Sequence, residues 1–280
     1  MRIEPVHGDH SIDEVIFQLE FDEPWTPSDL QKLERLVPQL RNELPAFRRL
    51  EQPATVDPTA LSSVSAPRAI VGVEFAALRR DGTYEWRFQC LFNTATVNCL
   101  SYTRWTKIAN VARRYFGAAI AATGDRNIRA FLLQYIDRFL VLDADSRPEW
   151  SELFNFESMH LPRDFKERGA IWHLHQGWYL DLPGEVAPGR TLDLKGKLLE
   201  RLHLDSGRRS LPGTSDSEYF VRIDHFQRCE LEEPIRAHVF LDDQNVVTRG
   251  FDTLHDINKY RLDVLLSTSA KQRIGLHDSS

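Results

Sequence analysis

The sequence predicts an α+β fold in which an antiparallel sheet is backed by helices and two halves share the order β-α-β-β-β-α. Three observations point there. Apolar residues recur at period two in several segments, the mark of half-buried strands; turn residues such as Asp81-Gly82 sit between neighbouring segments; and each half closes on a stretch of helical spacing. The chain has 280 residues, 42% of them hydrophobic and 27% charged, with a net charge of −6. That composition is globular and leaves room for two modest domains or one large one. The expected division is 1–127 and 128–280, two halves of one continuous structure.

Val15, Phe17, Leu19 and Phe21 alternate with Gln18 and Glu20 and start the fold as a strand. Ser28 reads as an N-cap, followed by Leu30, Leu33, Leu36, Leu40 and Leu44 at helical spacing, with Pro38 placed to split the helix. The segment from Glu51 to Pro67 has no sustained period and reads as a surface loop. Three strands follow, carried by Val71, Val73 and Phe75, then Trp86, Phe88 and Cys90, then Val97 and Cys99. Trp105, Ile108, Ala112, Tyr115, Phe116 and Ile120 form the stripe of a helix that Gly124 should end.

In the second half Arg129–Leu142 is apolar on both faces and reads as a central strand. Helical turns around Trp150–Phe154 and Arg163–Lys166 replace the first helix. Strands Ala170–Leu182, Arg190–Leu204 and Glu218–Leu231 come next, then a short extra one at Arg236–Leu241 and a final helix from about Asp252.

Cys90, Cys99 and Cys229 have no CxxC spacing, so neither a disulfide framework nor a zinc ribbon is predicted, and they read as small core residues. No uncharged run reaches the roughly 18–20 residues that span a bilayer, and Met1–Pro5 opens no signal peptide. The expected location is cytoplasmic, with no membrane partner. The mildly acidic balance also disfavours a dedicated nucleic-acid binder, whose affinity rests on phosphate neutralisation.

Several segments taken together resemble a sporadically distributed family of uncharacterised bacterial proteins of about 250–280 residues. They are Ile12–Phe21, Glu85-Trp86-Arg87-Phe88-Gln89, Val97–Tyr102 leading to Trp105, Leu133–Phe139, and Leu254–Tyr260. That family has no established activity and no catalytic set to carry over. The resemblance implies an accessory bacterial module of the phage-defence or toxin–antitoxin kind.

Two constellations are candidates for chemistry. His173 and His175 lie two apart on a strand and share a face, expected beside Asp193, Lys195 and Lys197; a metal site would need a third ligand such as Asp224 or His225. Lysine neighbours oppose a cation, so no metal and no cofactor are predicted. Asp181 with Asp193-Leu194-Lys195 copies the outline of a magnesium-dependent nuclease core, which is also what a solvated strand face looks like. There is no GxGxxG, GxxxxGK[ST], GxSxG or HExxH.

The expected function is therefore that of a non-enzymatic interaction subunit with a protein partner. The alternative is a metal-dependent phosphodiesterase using Asp181, Asp193 and Lys195. The expected docking surface is the polar strand phase of Arg87, Gln89, Asn98, His173, His175, Lys195 and Arg222, opposite buried Trp86 and Phe88. A second candidate is the basic helix surface of Arg104, Lys107, Arg113 and Arg114, continued by Arg126 and Arg129.

Overall fold

The computed structural model describes residues 2–52, 69–142, 149–210, 217–241 and 248–276. It is the mixed α+β architecture expected, with antiparallel strands and helices. The expected loop at 51–67 lies almost wholly outside the described residues. Two compact units divide the chain: Met1–Val15 with Leu132–Glu232 and Val246–Ser280 form the first, and Ile16–Phe131 with Glu233–Asn245 form the second.

In the second unit, β2 (Ile12–Phe21, shared with the first unit) leads to α1 (Pro27–Glu34) and α2 (Val37–Leu40). Thr26, not Ser28, is the N-cap. Its hydroxyl accepts from the Asp29 backbone while the Asp29 carboxylate accepts from the Thr26 backbone, a reciprocal box that Pro27 at the first helical position leaves intact. The helical run does split, at Arg35-Leu36 just ahead of Pro38, which sits in the first turn of α2, itself a single turn.

Strand β3 (Ala46–Gln52), absent from the sequence reading, pairs with β4 (Ala69–Leu78) and is followed by β5 (Tyr84–Leu91) and β6 (Thr94–Cys99). Its Phe-Arg-Arg-Leu-Glu run has no clean alternation, because an outermost strand with a bulge at Leu50/Glu51 buries little and carries charge instead. Val73, Phe75, Phe88, Cys90, Val97 and Cys99 point inward against Ile108, Ala112, Tyr115 and Phe116 of α3 (Trp105–Thr123). Phe88 is fully buried and stacks on Tyr115 and Phe75. The three free cysteines are all buried, as a small core residue should be.

The first unit is built on β7 (Asn127–Leu142, whose first residues belong to the second unit). A short strand β1 (Arg2–Pro5), also unforeseen, pairs with its far end. Short 3-10 turns at Trp150–Glu152 and Phe165–Glu167 precede three long antiparallel strands, β8 (Trp172–Ala187), β9 (Arg190–Ser210) and β10 (Ser217–Arg236). The expected strand at Arg236–Leu241 is instead helix α4 (Ala237–Leu241), which belongs to the second unit. Its first amides are taken by the Arg126 carbonyl and the Asp125 carboxylate, which cap a helix start. Helix α5 (Thr248–Leu265) begins earlier than expected, and α6 (Thr268–Arg273) closes the described chain. The core of this unit gathers Phe139, Trp150, Phe154, Phe165, Leu202, Leu204, Val221, Ile223, Leu262 and Leu265.

Candidate functional site

Strands β8, β9 and β10 split their residues by phase. Trp172, Leu174, Trp178 and Leu180 turn toward the core side, while Ile171, His173, His175, Gly177, Tyr179 and Asp181 are exposed. Tyr179 and Ile171 are 69% and 68% exposed, large apolar groups in open solvent. The ladder fixes which side chains meet on that open face: His173 stands opposite Asp205, which stands opposite Arg222; His175 opposite His203, opposite Asp224; and Gly177 opposite Arg201, opposite Phe226.

This register corrects one expectation. The neighbours of His173 and His175 are Asp205 and His203, whereas Lys197 is opposite Asp181, farther along the hairpin. Asp193 and Lys195 lie beyond it, where the pairing slips between Leu182 and Gly184. Among the described residues no three His, Cys, Asp or Glu side chains are grouped to hold a metal ion. Of the two proposed third ligands, Asp224 shares the open face with His175 and His225 points the other way.

A depression of about 120 Å³ opens there, lined by Gln134, His175, Arg201, His203, Asp224 and Phe226. The His175 and His203 rings are 5.6 Å apart. Arg201 lies over Phe226, its guanidinium carbon 3.8 Å from the ring centre, a cation–π contact on an aromatic floor. Asp224 accepts from Gln134 and Arg222, both at 2.7 Å, so both of its oxygens are committed.

The inward phase holds a polar network that sequence reasoning missed. Glu200 is fully buried yet charged: burial pushes its pKa up, but two hydrogen bonds from Arg261 and the nearby His225 outweigh that and hold it at about 2. Trp178 donates to Glu200 at 3.2 Å, the His225 ring lies 3.3 Å from Glu200 and 2.9 Å from the Asn258 amide oxygen, and Gln227 donates to the Leu254 carbonyl at 3.0 Å. Arg261 also covers the Trp178 ring. Glu200, His225 and Gln227 interrupt otherwise apolar phases (Leu198, Leu202 and Leu204; Val221, Ile223, Cys229 and Leu231), and that interruption was the available signal. Among the described residues the Gln227 amide oxygen is buried without a hydrogen-bond partner, but the bonds of Glu200, His225 and the Gln227 amide nitrogen fasten α5 to the strands.

The remaining candidate residues lie in the second unit. Asn98 is buried and accepts from Arg87 at 3.2 Å, so its side chain is held inside the structure. Gln89 donates to Glu74, which also receives Arg48 and Tyr84. This polar phase is knitted to itself. On the basic surface Arg104 and Lys107 are exposed and Arg113 is half-buried, but Arg114 pairs with Glu43, Arg129 with Glu20 and Arg126 with Asp29. Arg126 is moreover fixed over Trp25 and donates to the carbonyls of Glu23 and Pro24.

The fold and site thus define a mixed α+β protein with an exposed, aromatic and charged strand face. Comparison with models of protein families, with curated proteins and with solved structures finds no match. No helix among the described residues is long and apolar enough to cross a membrane.

Proposed function

We propose that the protein is a non-enzymatic interaction subunit that engages a protein partner through the open face of β8, β9 and β10. The observation that carries this reading is the exposure of Tyr179 and Ile171 beside His173, His175 and Arg201, an apolar-plus-cationic surface of the kind in which binding energy concentrates. The basic helix surface is the weaker candidate because Arg114, Arg126 and Arg129 already have carboxylate partners. Membership of the sporadic bacterial family, a cytoplasmic location, a role in an accessory module and an ancestral duplication belong to the same proposal. The duplication is supported by the long helix that follows the last strand of each half, α3 after β6 and α5 after β10.

A photo-crosslinking residue at position 179, in the full chain expressed in its native host, tests the reading against a control at exposed Thr106 on α3. A discrete protein adduct from position 179, absent from position 106 and lost with Ile171→Asp, is the expected result. No adduct, or equal adducts from both positions, would overturn it. Metal-dependent cleavage of RNA or DNA that Asp193→Ala abolishes would replace it with the phosphodiesterase alternative.

A further inference from the structure

The depression on the open face carries a more specific assignment, which rests on the docking reading just given. Its six lining residues do not balance one another. Asp224 accepts from Gln134 on one oxygen and Arg222 on the other, whereas Arg201 pairs with no carboxylate among the described residues and its guanidinium lies on the Phe226 ring. Among the described residues His175 makes no side-chain hydrogen bond, and His203 has Asp205 at 3.8 Å, within ion-pair distance but beyond hydrogen-bond reach. An uncommitted guanidinium and two imidazoles 5.6 Å apart therefore surround one opening.

Gly177 helps to make the opening. It sits opposite Arg201 with His175 and Tyr179 on either side along β8, and a Cβ there would come within 3.3 Å of Arg201 Cγ and 3.4 Å of the Glu200 carbonyl oxygen. A side chain at that position would crowd the arginine stem and fill the space between the flanking residues.

We propose that this depression binds the phosphoryl group of a phosphorylated side chain on the protein partner, with Arg201, His175 and His203 as its donors. Three donors on two strands suit an anion with several oxygens in different directions, and a guanidinium fixed on a ring is a preorganised partner for phosphate. Within the depression a nucleotide base is disfavoured because Phe226, the aromatic residue of its lining, is already covered by Arg201 and offers no open face for stacking.

The test uses the full chain with labelled histidines, assigned through His175→Ala and His203→Ala, and titrated with inorganic phosphate, O-phosphoserine, serine and a ten-residue oligothymidylate. The expected result is a saturable shift of the His175 and His203 ring signals by phosphate and phosphoserine but not by serine, with the other exposed histidines unmoved. Arg201→Ala should weaken binding by about tenfold or more, and Arg201→Lys by less. No saturable shift, equal shifts at every exposed histidine, or full binding by Arg201→Ala would overturn the site. So would oligothymidylate binding more tightly than phosphoserine through the same residues, which would assign the face to nucleic acid. The two proposals separate cleanly. An adduct from position 179 that persists without any phosphate binding overturns only the phosphoryl site, and phosphate binding without an adduct overturns the protein-docking reading and with it the protein source of the phosphoryl group, while the anion site itself stands.

Discussion

Arg261 grips Glu200 through two hydrogen bonds, its Nε donating at 2.9 Å and a terminal nitrogen at 2.8 Å, at a strand position where Glu200 has no solvent exposure. A carboxylate so placed is tolerable only because its charge is matched and its oxygens are filled. Trp178 and His225 complete the shell from β8 and β10, so one side chain ties three strands to α5.

Removing the arginine strands that charge. Arg261→Ala should cost about 3–5 kcal/mol in urea denaturation, while the double variant Arg261→Met with Glu200→Leu should cost far less than the two single changes summed. Additive losses would show that the pair is not the fastening it looks like.

The same unit should be sensitive to acid for two reasons of like sign. Glu200 is held at about 2, below its ordinary 4.5, so the stability it contributes is complete above 4.5 and lost as pH falls toward 2. His255 is half-buried against Tyr135, whose hydroxyl lies 2.7 Å from its Nδ1; desolvation and, secondarily, Lys259 depress it from 6.5 to about 3. The unfolded chain takes up that proton first, so stability falls as pH drops from 6.5 toward 3. Thermal unfolding compared between the parent and His255→Gln from pH 7 to pH 3 should show the variant gaining relative to the parent as pH falls from 6.5 toward 3. An unchanged profile in that variant would refute the assignment.

Most of the strand order was legible because alternation and turn residues are local signals. The failures have physical reasons. Strand β3 is an outermost, bulged, charged strand, and β1 is only four residues long, so neither shows a period. The buried polar residues were hidden in plain view: Glu200, His225 and Gln227 of the network, and Asp137 outside it, each sit on an apolar phase, and a majority reading of the phase passes over the residue that breaks it. On the open face, His173 and His175 were readable from their spacing. His203 was not, because which residue of β9 stands opposite His175 depends on hairpin register, which the slip near Leu182 and Gly184 moves.

Asp137 supplies a prediction of opposite sign. It is fully buried; burial raises its carboxyl to about 6, against the opposing hydrogen bond from Ser11 at 2.7 Å, and its second oxygen has no hydrogen-bond partner among the described residues. The folded chain therefore keeps a proton that the unfolded chain has lost, and this group's contribution shrinks as pH rises from about 4 to about 6. Asp137→Asn removes the titration. Relative to the parent, the variant should gain stability between pH 4 and pH 7.5, read as the difference in urea midpoints at the two values, and a constant difference would sink the claim.

Two glycines of the β8–β9 hairpin offer a final contrast. Gly196 adopts φ +151°, and a Cβ on it would lie 1.9 Å from the Glu230 carbonyl oxygen of β10, a collision with backbone that no rotamer change relieves. Gly177 has no such φ, and its Cβ would press first on the flexible stem of Arg201 at 3.3 Å. Gly196→Ala should thus force β9 away from β10 and cost above about 2 kcal/mol, whereas Gly177→Ala should stay within about 1 kcal/mol. Thermal melts of the two variants rank them directly. Because Gly177 borders the proposed phosphoryl site and Gly196 does not, Gly177→Ala should in addition weaken phosphate binding at nearly unchanged stability. Equal melting temperatures for the two variants would mean that the close approach of β9 to Glu230 relaxes at no cost, contrary to the strain argued from its backbone.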